Sequence, residues 1–477
     1  MKPNSESFRR IVEKELKNTE TQRLLKFLPH SLTSKRKEAY ESFPDPAAAH
    51  AYGQVIRAEA IDRLPALLEQ FEARAKANGM QVFWARDGQE ANHYILELAR
   101  QRGVRLVTKG KSMVTEETGL NQLLAENGVE VWETDLGEFI TQLLKRPPFH
   151  IVGPAINVPA EQVRDIFLEK GVLEVPTTDP VQLGRAARRF LREKFRRVDM
   201  GITGVNMAVA DTGTIINVEN EGNIRFSKSS PRIQVSVMTI EKVVPTIVDA
   251  MHLLRVLCRS CTGQPISAYA TLDNGPKRPE DPDGPEELHV VILDNGRSKA
   301  FQDPVIREVL RCIRCGACLN ACPIYGKIGG YPYGWAYSGP MGQVLNPALQ
   351  GLASTSDLYG ACTLCQKCKT ICPAGVDHPK VLLYYRQKSL EAAPGLIGIM
   401  SGLADGLRYG TYGFAGAHPQ IWRLLSRALR LAVRPYETEG KIRHMWAGLD
   451  GWFHGRDLPA FPKETFHERW KRLKDKK

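Results

Sequence analysis

Between residues 79 and 175 the apolar positions keep two rhythms. Short runs such as GMQVFWA, VRLVTKG, VEVWE and FHIVG have the length of buried strands, and each is followed by a segment whose apolar residues return every three or four positions. The first helical segment, DGQEANHYILELARQRG, closes at Gly103. MVTEETGLNQLLAENG carries Glu116 and Glu117 in its opening turn, where the helix dipole favours them. TDLGEFITQLL opens with Asp135 and Glu138 at capping-box spacing, and PAEQVRDIFLEKG follows FHIVG. Strands and helices in alternation predict a mostly parallel sheet covered on both faces. A helix over 54–78, with Pro65 as a kink or restart, precedes the first strand.

After one more helix, DPVQLGRAARRFLREKF, the pattern shifts. GITGVNMAVADTGTIINVENEGNIRFS predicts several short strands joined by glycine and Asn-Glu-Gly turns. IQVSVMTIEKVVPTIVDAMHLLRVL returns to strand then helix, LDNGPKRPEDPDGPEELH is a loop rich in proline, glycine and acid, and VVILDNG is a last strand. The chain thus divides into a charged, partly helical arm over 1–53, an α/β domain over 54–300, a cysteine-bearing region over 301–385, and a helical, arginine-rich region over 386–477 without cysteine.

Composition excludes little beyond the unusual classes: 43% of residues are apolar and 25% charged, as in ordinary globular domains. The N-terminus MKPNSESFRRIVEKELKN has no apolar core of a secretory signal, which makes the expected location cytoplasmic. The greasiest stretch, GLIGIMSGLADGLRYGTYGF, is broken by Asp405 and Arg408 and is not expected to span a membrane. The formal charge of +12 is spread along the chain and comes with no nucleic-acid-binding signature.

Ten cysteines in a chain of this length and kind suggest metal binding rather than a disulfide framework. Eight of them form two copies of C-x2-C-x2-C-x3-C-P: Cys312, Cys315, Cys318 and Cys322 before Pro323, then Cys362, Cys365, Cys368 and Cys372 before Pro373. Three closely spaced thiolates wrap one face of an iron–sulfur cubane, and in two-cluster proteins the fourth ligates the other cluster. The expected sets are therefore Cys312, Cys315, Cys318 and Cys372 for one [4Fe–4S] cluster, and Cys362, Cys365, Cys368 and Cys322 for a second. Structural zinc, the competing metal, normally uses two separated C-x2-C pairs and does not need this spacing twice. Helical segments (DPVIREVLR before, HPKVLLYYRQKSLEAA after) suggest a helical rather than a compact β-type dicluster domain. Tyr325, Tyr331, Tyr333, Trp335 and Tyr337 lie between the copies and are expected to pack that insert or a partner face, with shielding of the clusters as the alternative. The separate pair Cys258 and Cys261 is expected to be structural or incidental.

No dinucleotide fingerprint, P-loop or hydrolase signature is present, so no catalytic residue is assigned. Two loops nonetheless attract attention. VTKGKSMVTEE puts Lys109, Lys111 and Ser112 at a strand-to-helix turn, where α/β sheets bind anions, and GVNMAVADTGTIINVENEGN puts Asn206, Asp211, Thr212, Thr214, Asn217 and Glu219 among glycines. Lys109, Lys111, Ser112, Asn206, Asp211 and Thr214 form a candidate ligand pocket. Capping and turn chemistry explains many of the same residues without a ligand, and the sequence leaves both readings open.

VTKGKSMVTEETGLNQLLAENGVEVWETDLGEFITQL, GVNMAVADTGTIINVENEGN and the paired cassettes, in this order, resemble the lactate utilization protein B family, from about residue 60 to the cysteine-free region. The resemblance implies a front domain similar to the CoA-transferase and formyltetrahydrofolate cyclo-ligase group. It also implies an electron-transfer subunit in the oxidation of L-lactate to pyruvate, rather than a stand-alone enzyme. The implied partners are a second iron–sulfur subunit and a smaller protein sharing the front domain, with no nucleic acid and no integral membrane segment. Two alternatives stand beside it: a subunit serving another 2-hydroxy acid such as glycolate, and a redox- or ligand-sensing module.

Overall fold

The computed structural model describes residues 4–110, 112–391, 406–407, 409–444 and 457–475. Lys111 and most of the greasy stretch from Gly395, Asp405 and Arg408 included, lie outside the described residues. The chain forms two compact units, Met1–Glu391 and Ala392–Lys477.

The first unit is organised by a six-stranded, wholly parallel sheet. Its strands are β1 (Gln81–Ala85), β2 (Leu106–Lys109), β3 (Glu130–Glu133), β4 (Met200–Gly204), β7 (Ile233–Thr239) and β10 (Glu287–Leu293), in the order β1-β10-β7-β4-β2-β3. All five pairings are parallel, for example Val107 with Met200 and Ile202 with Val235. The central strands β4 and β7 are buried along their whole length, as strands of a parallel sheet covered on both faces are. From β2 the chain crosses outward to the edge strand β3, and from β4 it moves the other way through β7 to β10. The order therefore reverses between β2 and β4, and such a switch point opens a crevice at the carboxyl ends of the strands.

One face packs on helices Gly88–Gln101 and Leu120–Glu126 through Ile95, Leu124, Val107 and Val235. The other packs on Leu64–Ala77 and on a second sheet. That sheet, β8-β5-β6-β9, is formed by β5 (Met207–Val209), β6 (Thr214–Glu219), β8 (Val243–Val244) and β9 (Tyr269–Asp273). Beyond the β3 edge, helices Leu136–Leu143, Ala160–Glu169 and Pro180–Arg197 pack together around Phe139 and Phe167.

Several local expectations need correction. FHIVG is not a strand. Pro147, Pro148 and Pro154 flank it and strip the backbone of donors a sheet needs. Its burial comes from the cysteine region instead: the Phe149 carbonyl accepts from the Tyr325 hydroxyl at 3.0 Å, and a side chain at Gly330 would come within 1.8 Å of the same oxygen. NIRFS, expected within the strand segment, is the helix Asn223–Ser229, whose first amides are capped by Glu219. YATLD, unassigned by pattern, supplies edge strand β9 with its burial uneven. MVTEETGLNQLLAENG is two helices, Met113–Thr118 and Leu120–Glu126, parted by Gly119 at φ 72°. Pro65 does mark a restart, between Pro46–Asp62 and Leu64–Ala77.

The N-terminal residues fold as helices Phe8–Lys17 and Thr19–Glu41, and Pro46–Asp62 runs through residue 53. They grip the cysteine region: Gln22 donates to the Lys327 carbonyl at 2.7 Å, Arg36 to that of Ile371 at 3.2 Å, and Gln54 to that of Cys372 at 3.1 Å. Residues 301–391 are short helices and 3-10 turns, ending in the helix His378–Glu391. The described part of the second unit holds helices Pro419–Val433 and Phe466–Lys474. It also holds a small antiparallel sheet of Glu437–Thr438, Lys441–Ile442 and Leu458–Pro459, turned at Glu439 and Gly440, both at positive φ. No described helix is long and apolar enough to cross a membrane.

Candidate iron–sulfur centre and adjoining crevice

The two cassettes repeat in backbone as well as in sequence. Arg314 and Leu364, each two residues after the first cysteine, both take positive φ (61° and 57°). Gly316 and Gln366, two positions further, do the same (75° and 64°). Three of these four are not glycine, and the left-handed region costs such residues about 1 kcal/mol or more. The turn aims amides at sulfur: Arg314 N–H donates to Cys312 Sγ and Leu364 N–H to Cys362 Sγ, both at 3.3 Å. Tyr325 N–H and Val376 N–H reach the last cysteine of each copy, Cys322 and Cys372, at 3.5 and 3.4 Å. Amides aimed at sulfur favour thiolate over thiol.

Two cavities result, and each takes cysteines from both copies. Cys312, Cys315, Cys318 and Cys372 line the first, with Ile151, Tyr337 and His378. Cys322, Cys362, Cys365 and Cys368 line the second, with Pro323, Pro340 and Gln343. None of the ten cysteines is disulfide-bonded. Burial, with neighbouring thiols adding to it, pushes Cys315 and Cys318 well above the usual thiol range, Cys368 to about 12 and Cys372 to about 11. Four thiols packed this closely ionise together only beside concentrated positive charge, and iron supplies it. The donor set, all sulfur and four to a cavity, therefore fits an iron–sulfur cluster in each. The insert tyrosines are structural: Tyr325, Tyr333 and Tyr337 are buried, with Tyr325 and Tyr333 packed beside Cys318 and Cys322.

Buried charge joins the first cassette to the α/β domain. Arg297, wholly buried, pairs with Glu117 through Nη1–Oε1 at 2.9 Å and Nη2–Oε2 at 2.7 Å, and its Nε lies 3.1 Å from Glu241. Tyr337 and Asn295 also donate to Glu117, both at 2.5 Å. Arg314 reaches the other Glu241 oxygen at 2.8 Å. Burial pushes the Glu241 carboxyl up, but Arg297 and Arg314 outweigh it and hold it at about 2. Arg57 lies below, donating to the carbonyls of Glu241, Val243, Leu310 and Arg311.

Beside this network a crevice of about 260 Å³ opens at the carboxyl ends of the strands, at the switch point. Ser112 lines it after β2, Asp135 after β3, Asn206 after β4, and Thr239 and Lys242 after β7. Glu219, Asn223, Cys258, Cys261 and Arg314 complete much of the wall. Of the described candidates for the pocket, Ser112 and Asn206 meet here, together with Glu219 from the same glycine-rich loop; Lys111 lies outside the described residues. Ser112 accepts from Thr115 N–H as a helix cap, and Asn206 Oδ1 from Val218 N–H. Lys109 is buried elsewhere, its Nζ 2.8 Å from Glu116 and 2.7 Å from Glu133. Burial works against its charge, but the two carboxylates prevail and raise it above the ordinary lysine range. Asp211 and Thr214 sit on the β5–β6 hairpin against the helix Leu64–Ala77, where Thr214 donates to Asn274 and Asn78 donates to the Thr212 carbonyl. The residues that sequence reasoning missed are Lys242 and Arg314. Arg314 carried one signal, since the second cassette has Leu364 at the equivalent position.

Comparison with known proteins agrees with both halves. A family profile described as LUD domain matches residues 68–293, and one described as 4Fe-4S dicluster domain matches residues 308–376. Lactate utilization protein B of Bacillus velezensis is 37% identical over 476 residues, 99% of this chain and 98% of that protein. Its counterpart from Anoxybacillus flavithermus is 38% identical over 98% of both chains. An Escherichia coli protein named uncharacterized electron transport protein YkgF is 38% identical over 87% of this chain and 86% of its own.

Proposed function

This chain belongs to the lactate utilization protein B family and is an iron–sulfur electron-transfer protein of lactate utilization; we propose that it holds two [4Fe–4S] clusters and relays electrons released when L-lactate is oxidised to pyruvate. Cys312, Cys315, Cys318 and Cys372 hold one cluster, and Cys362, Cys365, Cys368 and Cys322 the other. The observation that carries this reading is the lining of the two cavities, each of which draws three sulfurs from one copy and the fourth from the other.

Such clusters accept and pass single electrons. The residues around them exclude water with aromatic and aliphatic walls, turn amides toward sulfur, and bring buried arginines close to the first set. The reading extends to a cytoplasmic protein whose front domain is similar to the CoA-transferase and formyltetrahydrofolate cyclo-ligase group. In the same reading the segments are an arm over 1–53, an α/β domain over 54–300, a helical dicluster domain over 301–385 and a C-terminal region over 386–477. It works with a second iron–sulfur subunit and a smaller protein that shares the front domain.

Anaerobic protein should contain about eight irons and eight sulfides per chain. Adding L-lactate and the partner subunits should reduce it, with new signals in electron paramagnetic resonance. Four irons, bound zinc, or reduction by glycolate in preference to lactate would each overturn part of the reading. Cys372→Ser should disturb the cluster anchored by Cys312, Cys315 and Cys318; a change confined to the other would refute the crossed sets.

A further inference from the structure

The crevice beside the first cysteine set has a feature the relay does not use. Lys242 is 8% exposed, and its ammonium has no hydrogen bond or ion pair among the described residues. Arg314 has an 8% exposed side chain; its Nη2 is taken by Glu241, while its Nη1 is buried with no partner. Both side chains line the crevice. Arg314 Nη1 is thus a buried donor left open beside an unpaired lysine, a combination that an anion in the crevice would complete.

We propose that this crevice binds a small monocarboxylate of the size of a 2-hydroxy or 2-oxo acid, its carboxylate held between Lys242 and Arg314. Several observations select that class. The volume of about 260 Å³ is ample for a small acid, so the charged and polar lining rather than the size sets the class. The place, at the carboxyl ends of β2, β4 and β7 where the strand order reverses, is where open parallel sheets take ligands. The lining also carries Glu219 and Asp135, whose negative charge disfavours a doubly charged phosphate more than a single carboxylate. Asn206 and Asn223 supply amides for a hydroxyl or keto oxygen. Finally, Arg314, Tyr337 and Ile151 line both this crevice and the cavity of Cys312, Cys315, Cys318 and Cys372, so a bound acid would lie one side chain away from the first cysteine set. The choice of probe acids rests on the lactate reading above.

The rival role for Lys242 and Arg314 is to offset the charge of the thiolates, Cys312 above all. Binding and potential separate the two. Anaerobic, cluster-loaded protein is titrated calorimetrically with L-lactate, pyruvate, neutral lactamide and inorganic phosphate. Lys242→Gln and Lys242→Arg are titrated likewise, with iron content and visible spectrum as controls. The expected result is saturable, mutually competitive binding of lactate or pyruvate, with lactamide at least tenfold weaker. Lys242→Gln should lose at least tenfold and Lys242→Arg should retain binding, both with full iron. The proposal is overturned if neither acid binds, if lactamide or Lys242→Gln binds equally well, or if phosphate binds more tightly than either acid. A shifted midpoint potential in Lys242→Gln with binding intact would assign the lysine to the cysteines and also overturn it. Failure of binding while lactate still reduces the complex would sink this site and leave the relay standing; binding without reducible clusters would do the reverse.

Discussion

Glu117→Ala is the sharpest probe of how the cysteine region is held to the α/β domain. The carboxylate is fully buried, accepts from Arg297, Tyr337 and Asn295, and joins residues 180 and 220 positions away in sequence. Removing it leaves Arg297, also fully buried, with Glu241 as its remaining carboxylate partner, and Glu241 is already shared with Arg314. Breaking one side of such a pair costs about 3–5 kcal/mol, chiefly through the stranded charge. With a denaturant slope of roughly 3 kcal/mol/M in urea for a unit of this size, the midpoint should fall by about 1 M or more. Urea unfolding followed by circular dichroism and by the visible absorption of the clusters gives two readouts. Because Tyr337 and Arg314 flank Cys312, the cluster signal should be lost at or before the backbone signal. Glu117→Gln, which keeps the shape and several hydrogen bonds, should fall between. Arg102→Ala, which breaks an exposed pair with Glu287, should leave the midpoint where it is. A Glu117→Ala midpoint within 0.2 M of wild type would refute the claim that this network ties the two regions together.

Other expectations follow from single contacts. Gly201→Ala would place a Cβ 1.6 Å from the Ser227 carbonyl, a main-chain clash in the central strand, and should cost about 3 kcal/mol or more by urea unfolding. The cassettes should respond in opposite ways at equivalent positions: Gly316→Ala meets Ile151 at 3.0 Å from a left-handed backbone and should lower cluster retention, whereas Gln366→Gly relieves a positive φ and should be neutral or stabilising within about 1 kcal/mol. Glu241, held at about 2 against an ordinary 4.5, contributes stability that is complete above pH 4.5 and is lost as pH falls toward 2. Glu241→Gln should therefore flatten the acid limb of a stability–pH curve measured over that window.

The alternation of strand and helix was legible because parallel strands buried on both faces leave continuous apolar runs, and the cassettes were legible because ligand spacing is local. What failed had a common cause: a sequence pattern records that a side chain is buried, not what buries it. FHIVG is as apolar as a strand, yet it is buried by Tyr325, 176 residues after Phe149, and by Gly330 just beyond it. Lys109 has the look of an anion ligand at a strand end, but the residues that claim it, Glu116 and Glu133, stand on elements whose approach no local pattern reveals. Lys242 is the converse, a lysine in a mostly apolar run whose ammonium has no hydrogen bond or ion pair among the described residues. Arg314 could be suspected only by laying the two cassettes over each other and asking why one copy carries Arg where the other carries Leu364.

The two cysteine sets also differ in their surroundings. The first is deep: Cys315 and Cys372 are buried, His378 and Ile151 wall the cavity, and the crevice lined by Lys242 and Arg314 adjoins it. The second reaches the surface at Cys365, beside a groove lined by Lys26, Arg36, Lys327 and Lys367. A relay needs one end close to the electron source and shielded from water, and another that a partner protein can approach. In the proposed relay the duplicated cassette supplies two chemically equal cysteine sets, and the surroundings make them unequal. The α/β domain closes over one, through the segment around Ile151 and the Arg297 network, while the other is left at the surface among positive side chains. An acidic partner surface would be drawn to that edge, with the attraction weakening as salt rises. Electron flow from the crevice side to the Cys365 side is the direction this asymmetry favours. Under the proposed crossed sets, a fourth ligand exchanged between copies would lock the shielded station and the exposed one into a single folded unit, so that neither would form without the other.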